Sequence, residues 1–122
     1  MNRLKSRVDF LRAQKGVRRV TPSLTLEACR SPETAEGPAE AGARVGFTAT
    51  RKLGNAVVRN RAKRRLRAAA QATLPLSARP AHDYVLVARP GTLSRPFSSL
   101  VEDLAAAVRA AHLRLDGTGD RS

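Results

Sequence analysis

Apolar residues recur along this chain with two periods, and the places where the period changes divide it into elements. Around Arg7 to Lys15, Val8 and Leu11, with Phe10 beside them, fit a short amphipathic helix that Gly16 ends. Val17 to Val20 reads as a brief strand, and Thr21-Pro22-Ser23 as a break. From Leu24 to Arg30 the period is two, with Leu24, Leu26 and Ala28 on one face. Ala43 to Thr50 repeats it, with Val45, Phe47 and Ala49 on one side and Gly46, Thr48 and Thr50 on the other. The stretch between these strands, Ser31 to Gly42, is rich in Pro, Glu, Ala and Gly and reads as an exposed hairpin loop.

Gly54-Asn55 breaks the pattern and opens a helix from about Asn55 to Thr73. At 100° per residue, Val58, Ala62, Leu66, Ala69 and Thr73 fall within an arc of about 80°. Leu74 to Ala81, with two prolines, reads as a loop. Tyr84 to Ala88 is almost continuously apolar, as a strand covered on both faces is, and Pro90-Gly91 ends it. A last helix is expected from Ser94 or Pro96 to Leu115, with Ser94 as a cap or Ser99 and Glu102 as a capping box. Residues 1–5 read as a loose arm and 116–122 as a frayed tail. The order α-β-β-β-α-β-α predicts one α+β domain over residues 1–122, a sheet layered with helices.

Charge changes the picture. The 122 residues carry 23 Lys and Arg against 10 Asp and Glu, a net charge of +13. Arg51 to Arg67 alone holds Arg51, Lys52, Arg59, Arg61, Lys63, Arg64, Arg65 and Arg67, with no acid among them. On the predicted helix Arg61, Lys63, Arg64 and Arg67 lie opposite the apolar stripe, and Arg59 and Arg65 lie along its borders. A looser basic stretch, Arg3 to Arg19, is offset only by Asp9. Surfaces usually interleave charges of both signs, so such a block points to a polyanionic partner, with a solvated helix face as the bland alternative. No apolar run reaches the length of a membrane span, and one cysteine, Cys29, cannot form an internal disulfide.

Candidate catalytic chemistry is sparse. Cys29 has no His or Asn near it in sequence, and His82 and His112 suit capping and structural positions. No carboxylate pattern suits a metal ion, and Gly54-Asn55-Ala56 lacks the spacing of a phosphate-binding loop. Catalytic and metal-ligating residues are therefore expected to be none. Aromatics are few: Tyr84, Phe97 and Phe47 fit the core, while Phe10 fits either a core or an open groove. Asn60, between Arg59 and Arg61, is either merely solvated or a partner for bases, riboses or phosphates.

The run from Arg44 to Arg67, RVGFTATRKLGNAVVRNRAKRRLR, resembles the signature of the bacterial ribonuclease P protein family. Asp9-Phe10 upstream and His82 to Arg89 (HDYVLVAR) downstream extend the resemblance over most of the chain. It implies a four-stranded sheet with helices and a left-handed βαβ crossover, against the usual right-handed rule. It implies a cytoplasmic protein that binds ribonuclease P RNA and precursor tRNA, with no membrane or small-molecule partner. The RNA would hold Mg2+ and cleave the 5′ leader from the tRNA, and the protein alone would be inactive. Carried over by position, Arg59, Asn60, Arg61, Lys63, Arg64, Arg65 and Arg67 would form the RNA-binding helix, extended by Arg51, Lys52 and Asn55. Phe10, Gln14, Thr48 and Thr50 would lie at a cleft for the leader. Gln14 stands where relatives often have a second aromatic, Leu24-Thr25-Leu26-Glu27 replaces a strand that often carries aromatics, and Arg51 replaces a frequent Lys. A purely structural RNA binder and a stand-alone metal-dependent nuclease are the rival readings; the extended signature speaks against the first and the absence of a carboxylate pair against the second.

Overall fold

The computed structural model describes residues 2–4, 6–31 and 42–117. In chain order the elements are β1 (Asn2–Arg3), α1 (Arg7–Gln14), β2 (Val17–Val20), β3 (Leu24–Arg30), β4 (Arg44–Thr48), a 3-10 turn (Arg51–Leu53), α2 (Ala56–Ser77), β5 (His82–Ala88), α3 (Pro90–Ser94) and α4 (Phe97–Leu115). The sheet order is β1-β4-β5-β3-β2. Strands β4 and β5 run parallel, with Val45 opposite Tyr84, so β4-α2-β5 is a crossover unit. Strands β3 and β5 pair antiparallel, with Leu26 opposite Leu86. The four main strands and the helices on them form the mixed α+β layer the sequence predicts.

Alternation assigns each strand residue to a layer. Leu24, Leu26, Ala28, Val45, Tyr84 and Leu86 join Leu66, Leu74, Leu100, Leu104 and Val108 in the main core under α2 and α4. The other face carries Cys29, Val85 and Val87, which pack with Leu4, Phe10 and Ala13 under α1. Strand β5 is central and covered on both faces, which is why it reads as continuously apolar.

Several expectations are corrected. The segment between β3 and β4 does not join neighbouring strands, because β5 lies between them and both pair with it; residues 32–41 of that segment lie outside the described ones. Residues 2–4 are not a loose arm. Asn2 and Arg3 pair with Arg44 and Val45, the Leu4 N–H donates to the Val45 carbonyl at 2.9 Å, and the Leu4 side chain is buried. The edge of β4 would otherwise leave its backbone groups unpaired.

Helix α2 runs through Pro75 to Ser77, past the expected end at Thr73. A proline in a helix interior costs about 3 kcal/mol, through the hydrogen bond it removes and the clash of its ring with the carbonyl four residues back. Here it falls in the last turn, where Leu74 is fully buried, and burying a leucine contributes about 1.5–3 kcal/mol. The Ala78 N–H donates to the Leu74 carbonyl at 2.8 Å and closes the helix.

The expected final helix is two helices. Pro96 holds Arg95 extended (φ −87°, ψ 152°), which ends α3 and starts α4. Pro96 itself is the N-cap of α4, so neither Ser94 nor the Ser99–Glu102 pair caps it. Of the expected tail, Asp116 pairs with Arg79 at 2.7 Å, and residues 118–122 lie outside the described ones.

Candidate nucleic-acid interface

The 3-10 turn ends at Gly54, whose φ of 153° favours glycine, and α2 begins at once. Asn55 is its N-cap: the side-chain oxygen accepts the Val58 N–H at 3.0 Å, leaving the amide N–H2 toward solvent. The buried stripe is Ala62, Leu66, Ala69, Ala70, Thr73 and Leu74. Fixing this stripe on the sheet turns Asn60, Arg61 and Arg64 outward as exposed residues, with Arg59, Lys63, Arg65 and Arg67 half-buried along the flanks. Arg51 and Lys52 are exposed on the preceding turn. The whole expected basic helix is thus one continuous surface with its turn.

Not every cation on it is free. Arg65 donates from Nε to the Thr92 carbonyl at 2.7 Å and from Nη2 to the Arg95 carbonyl at 2.5 Å, tying α2 to the end of α3. Arg67 lies over the Phe47 ring, 5.6 Å from its centroid, and its Nε is buried with no partner among the described residues.

On the β4 flank of α2 lie two adjoining recesses of about 370 and 320 Å³ that share Arg3, Val45, Phe47 and Arg67. The first extends to Gln71 and Pro75, the second to Phe10, Gly46 and Lys63. No described carboxylate lines either. Phe10 reaches the second because Gly46 has no side chain: a Cβ there would stand 2.5 Å from the Phe10 ring. The structure therefore brings Phe10 together with Lys63 and Arg67. Thr48 ends β4 on the face of Gly46, while Gln14 and Thr50 are exposed; none of these three lines the recesses. Sequence reasoning missed the place of Arg3, which sat in the supposed arm, at these recesses, and that of Phe47, which packs against the core as expected but is only half-buried and lines both of them. Phe97, also assigned to the core, is 41% exposed at the start of α4.

An ion-pair network fixes α1 against the sheet. Arg44 donates from Nε and Nη2 to the two oxygens of fully buried Asp83 at 2.8 and 2.7 Å, and from Nη2 to Asp9 at 3.2 Å. Arg12 holds the same Asp9 oxygen at 2.7 Å. Burial opposes ionisation of Asp9, but Arg12 and Arg44 outweigh it and keep its carboxyl below the ordinary range. Asp9, one residue from Phe10, thus anchors the turn that presents the ring.

Cys29 is buried, and His82 and His112 are engaged by neighbouring groups. Burial foremost, aided by Asp83, pushes the Cys29 thiol up to about 11, so it is not a thiolate at neutral pH. Tyr84, fully buried, accepts the Arg79 N–H at 2.9 Å and bonds His112 Nε2 at 2.7 Å, while His82 stacks on its ring. The arrangement offers cations along α2 that suit a polyanion and, beside it, a recess of cations and ring faces that suits an unpaired segment.

Known proteins resemble this chain in sequence and in fold. The family model described as Ribonuclease P matches residues 1–112. The chain is 50% identical over 110 residues to the ribonuclease P protein component of Ruegeria pomeroyi, covering 89% of this chain and 85% of that one. It is 45% identical over 119 residues to the protein of the same name from Caulobacter vibrioides, covering 98% and 76%. In fold it is similar to the RNase P proteins of Staphylococcus aureus (TM-score 0.69, 24% identity, 91% and 95% covered) and Thermotoga maritima (0.70, 22%, 90% and 97%).

Proposed function

Since the chain belongs to the ribonuclease P protein family and is thereby a component of an endoribonuclease, we propose that it binds the catalytic RNA through α2 and the 5′ leader of precursor tRNA beside Phe10. The RNA, with Mg2+ bound to it, hydrolyses the phosphodiester that joins the leader to the mature tRNA. The protein positions the leader and offsets phosphate repulsion, in the cytoplasm. The observation that carries this reading is the juxtaposition of two surfaces on one helix. Asn60, Arg61 and Arg64 face outward, while Lys63 and Arg67 turn to a recess that holds Phe10 and Phe47. A duplex-like RNA surface is met by exposed cations; a single strand is met by cations plus ring faces.

The test is cleavage of a labelled precursor tRNA at low magnesium, with the protein alone, a bacterial ribonuclease P RNA alone, and both. Cleavage at the mature 5′ end only in the combined reaction is expected. Cleavage by the protein alone, or no stimulation of a competent RNA, would overturn the reading.

A further inference from the structure

The other flank of α2 carries a second aromatic site, far around the helix from the Phe10 recess. Arg61, Arg64, Arg65 and Ala68 of α2, Leu93 of α3 and Phe97 of α4 line an open pocket of about 380 Å³. Phe97 is 41% exposed there, whereas Tyr84 is fully buried. Exposed apolar residues scattered singly need no explanation. This one is different because of what surrounds it: Leu93 extends its apolar surface, three arginines rim it, and no described carboxylate faces in. Arg61 and Arg64 are exposed and make no ion pair among the described residues.

The pocket is held rigidly. Pro96 fixes where α4 begins and so where Phe97 projects. Arg65 grips the Thr92 and Arg95 carbonyls on either side of Leu93, which locks α3 against α2. A ring held in place by the backbone loses little freedom on binding, which favours affinity.

We propose that this pocket takes one unpaired nucleotide of the catalytic RNA, the base stacked on Phe97 and Leu93 and its phosphates on Arg61 and Arg64. A flat apolar floor with a cationic rim is the pattern that recognises a splayed-out base, because every base has a π-face and every linkage a negative charge. The recess beside Phe10 lies on the opposite flank, so the two sites take different strands. This inference rests on the RNA-binding reading above and extends it to a single base.

The chain contains no tryptophan and one tyrosine, Tyr84, so Phe97→Trp places in the pocket the only side chain excited selectively at the red edge of the absorption band. Binding of a bacterial ribonuclease P RNA is measured by filter retention for the wild type, Phe97→Ala and Phe97→Trp over a range of salt, with thermal melts to check folding. Phe97→Ala is expected to weaken binding about 5- to 150-fold at fixed salt, the range of one base stack. Its salt slope should stay unchanged, because no charge is removed. Phe97→Trp should keep the affinity, and its emission should be quenched by the RNA but not by precursor tRNA alone. Wild-type affinity in Phe97→Ala together with unchanged emission in Phe97→Trp would overturn the pocket and leave the RNA-binding reading standing. Quenching by precursor tRNA alone, or loss of a dimer in Phe97→Ala by sedimentation, would overturn the assignment to the catalytic RNA. Failure of the wild type to bind the RNA at all would instead remove the reading beneath it.

Discussion

Replacing Asp83 by Asn should damage this protein more than any single change on its basic surface. The Asp83 carboxylate is fully buried and accepts two hydrogen bonds from Arg44 and one from Ser31 Oγ at 2.6 Å. Asn has the same shape but turns an acceptor into a donor that faces the guanidinium, and it removes the charge. Breaking a buried pair by changing one partner costs about 3–5 kcal/mol. Arg44 keeps its bond to Asp9, and its side chain is 26% exposed. We therefore expect a loss of about 2–4 kcal/mol, at and just below the lower end of that range. At about 4 °C per kcal/mol for a chain of this size, the melting temperature should fall by about 8–16 °C. Urea unfolding for the free energy and thermal melts for the temperature, both followed by circular dichroism in a sulfate buffer, measure the two. The pair Arg44→Met/Asp83→Leu should lose less than the two single changes added together, because it leaves no orphan charge. A loss under about 0.5 kcal/mol for Asp83→Asn, or simple additivity in the pair, would refute the reasoning.

Arg59→Ala, Arg61→Ala and Arg64→Ala should each weaken binding to ribonuclease P RNA and lower the slope of log affinity against log salt by about 0.7–0.9 for each phosphate left without its cation; filter binding at several salt concentrations reads both. Gly46→Ala puts a methyl 2.5 Å from the Phe10 ring, so it and Phe10→Ala should both reduce the preference for precursor over mature tRNA in competition binding. His112, held below its ordinary pKa of 6.5 by burial first and then by Arg79 and His82, takes up its proton later in the folded state than in the unfolded one. Stability should therefore fall as pH drops below 6.5 until the folded pKa is passed, and thermal melts of His112→Gln from about pH 7.5 to about pH 5 should lack that step.

What the chain's pattern made legible was whatever is decided locally. The stripe of α2, its start at Asn55 and the cations opposite follow from spacing alone, because the helix period fixes all three at once. Partners decided the rest. Nothing in Asn2, Arg3 and Leu4 marks a strand; the open edge of β4 and the space over Gly46 make it one. Strands β3 and β4 read as a hairpin because consecutive strands usually pair. The nearly all-apolar β5 needs cover on both faces and takes the centre between them. Phe97 fits the apolar spacing of the last helix, yet as its first residue its side chain leans back past the helix end, where Leu93 of α3 and the outer flank of α2 cover it only in part. The site divides the same way. Arg61 and Arg64 were legible as an exposed cationic face, whereas Arg3, Phe47 and Arg65 take their places from elements distant in sequence.

The central place of β5 governs the timing of folding during synthesis. Strand β3 leaves the ribosome some fifty residues before its neighbour β5 is made, and β4 waits for the same strand. In the interval β2 and β3 can pair as a hairpin, but the other edge of β3 and the inner edge of β4 stay open. Between β4 and β5 emerges α2, whose like charges oppose collapse. Such non-local pairing folds slowly, and open edges invite association with other chains. A substitution that weakens β5 would accordingly appear in the cell as aggregated or degraded chain, with the RNA-facing residues themselves untouched.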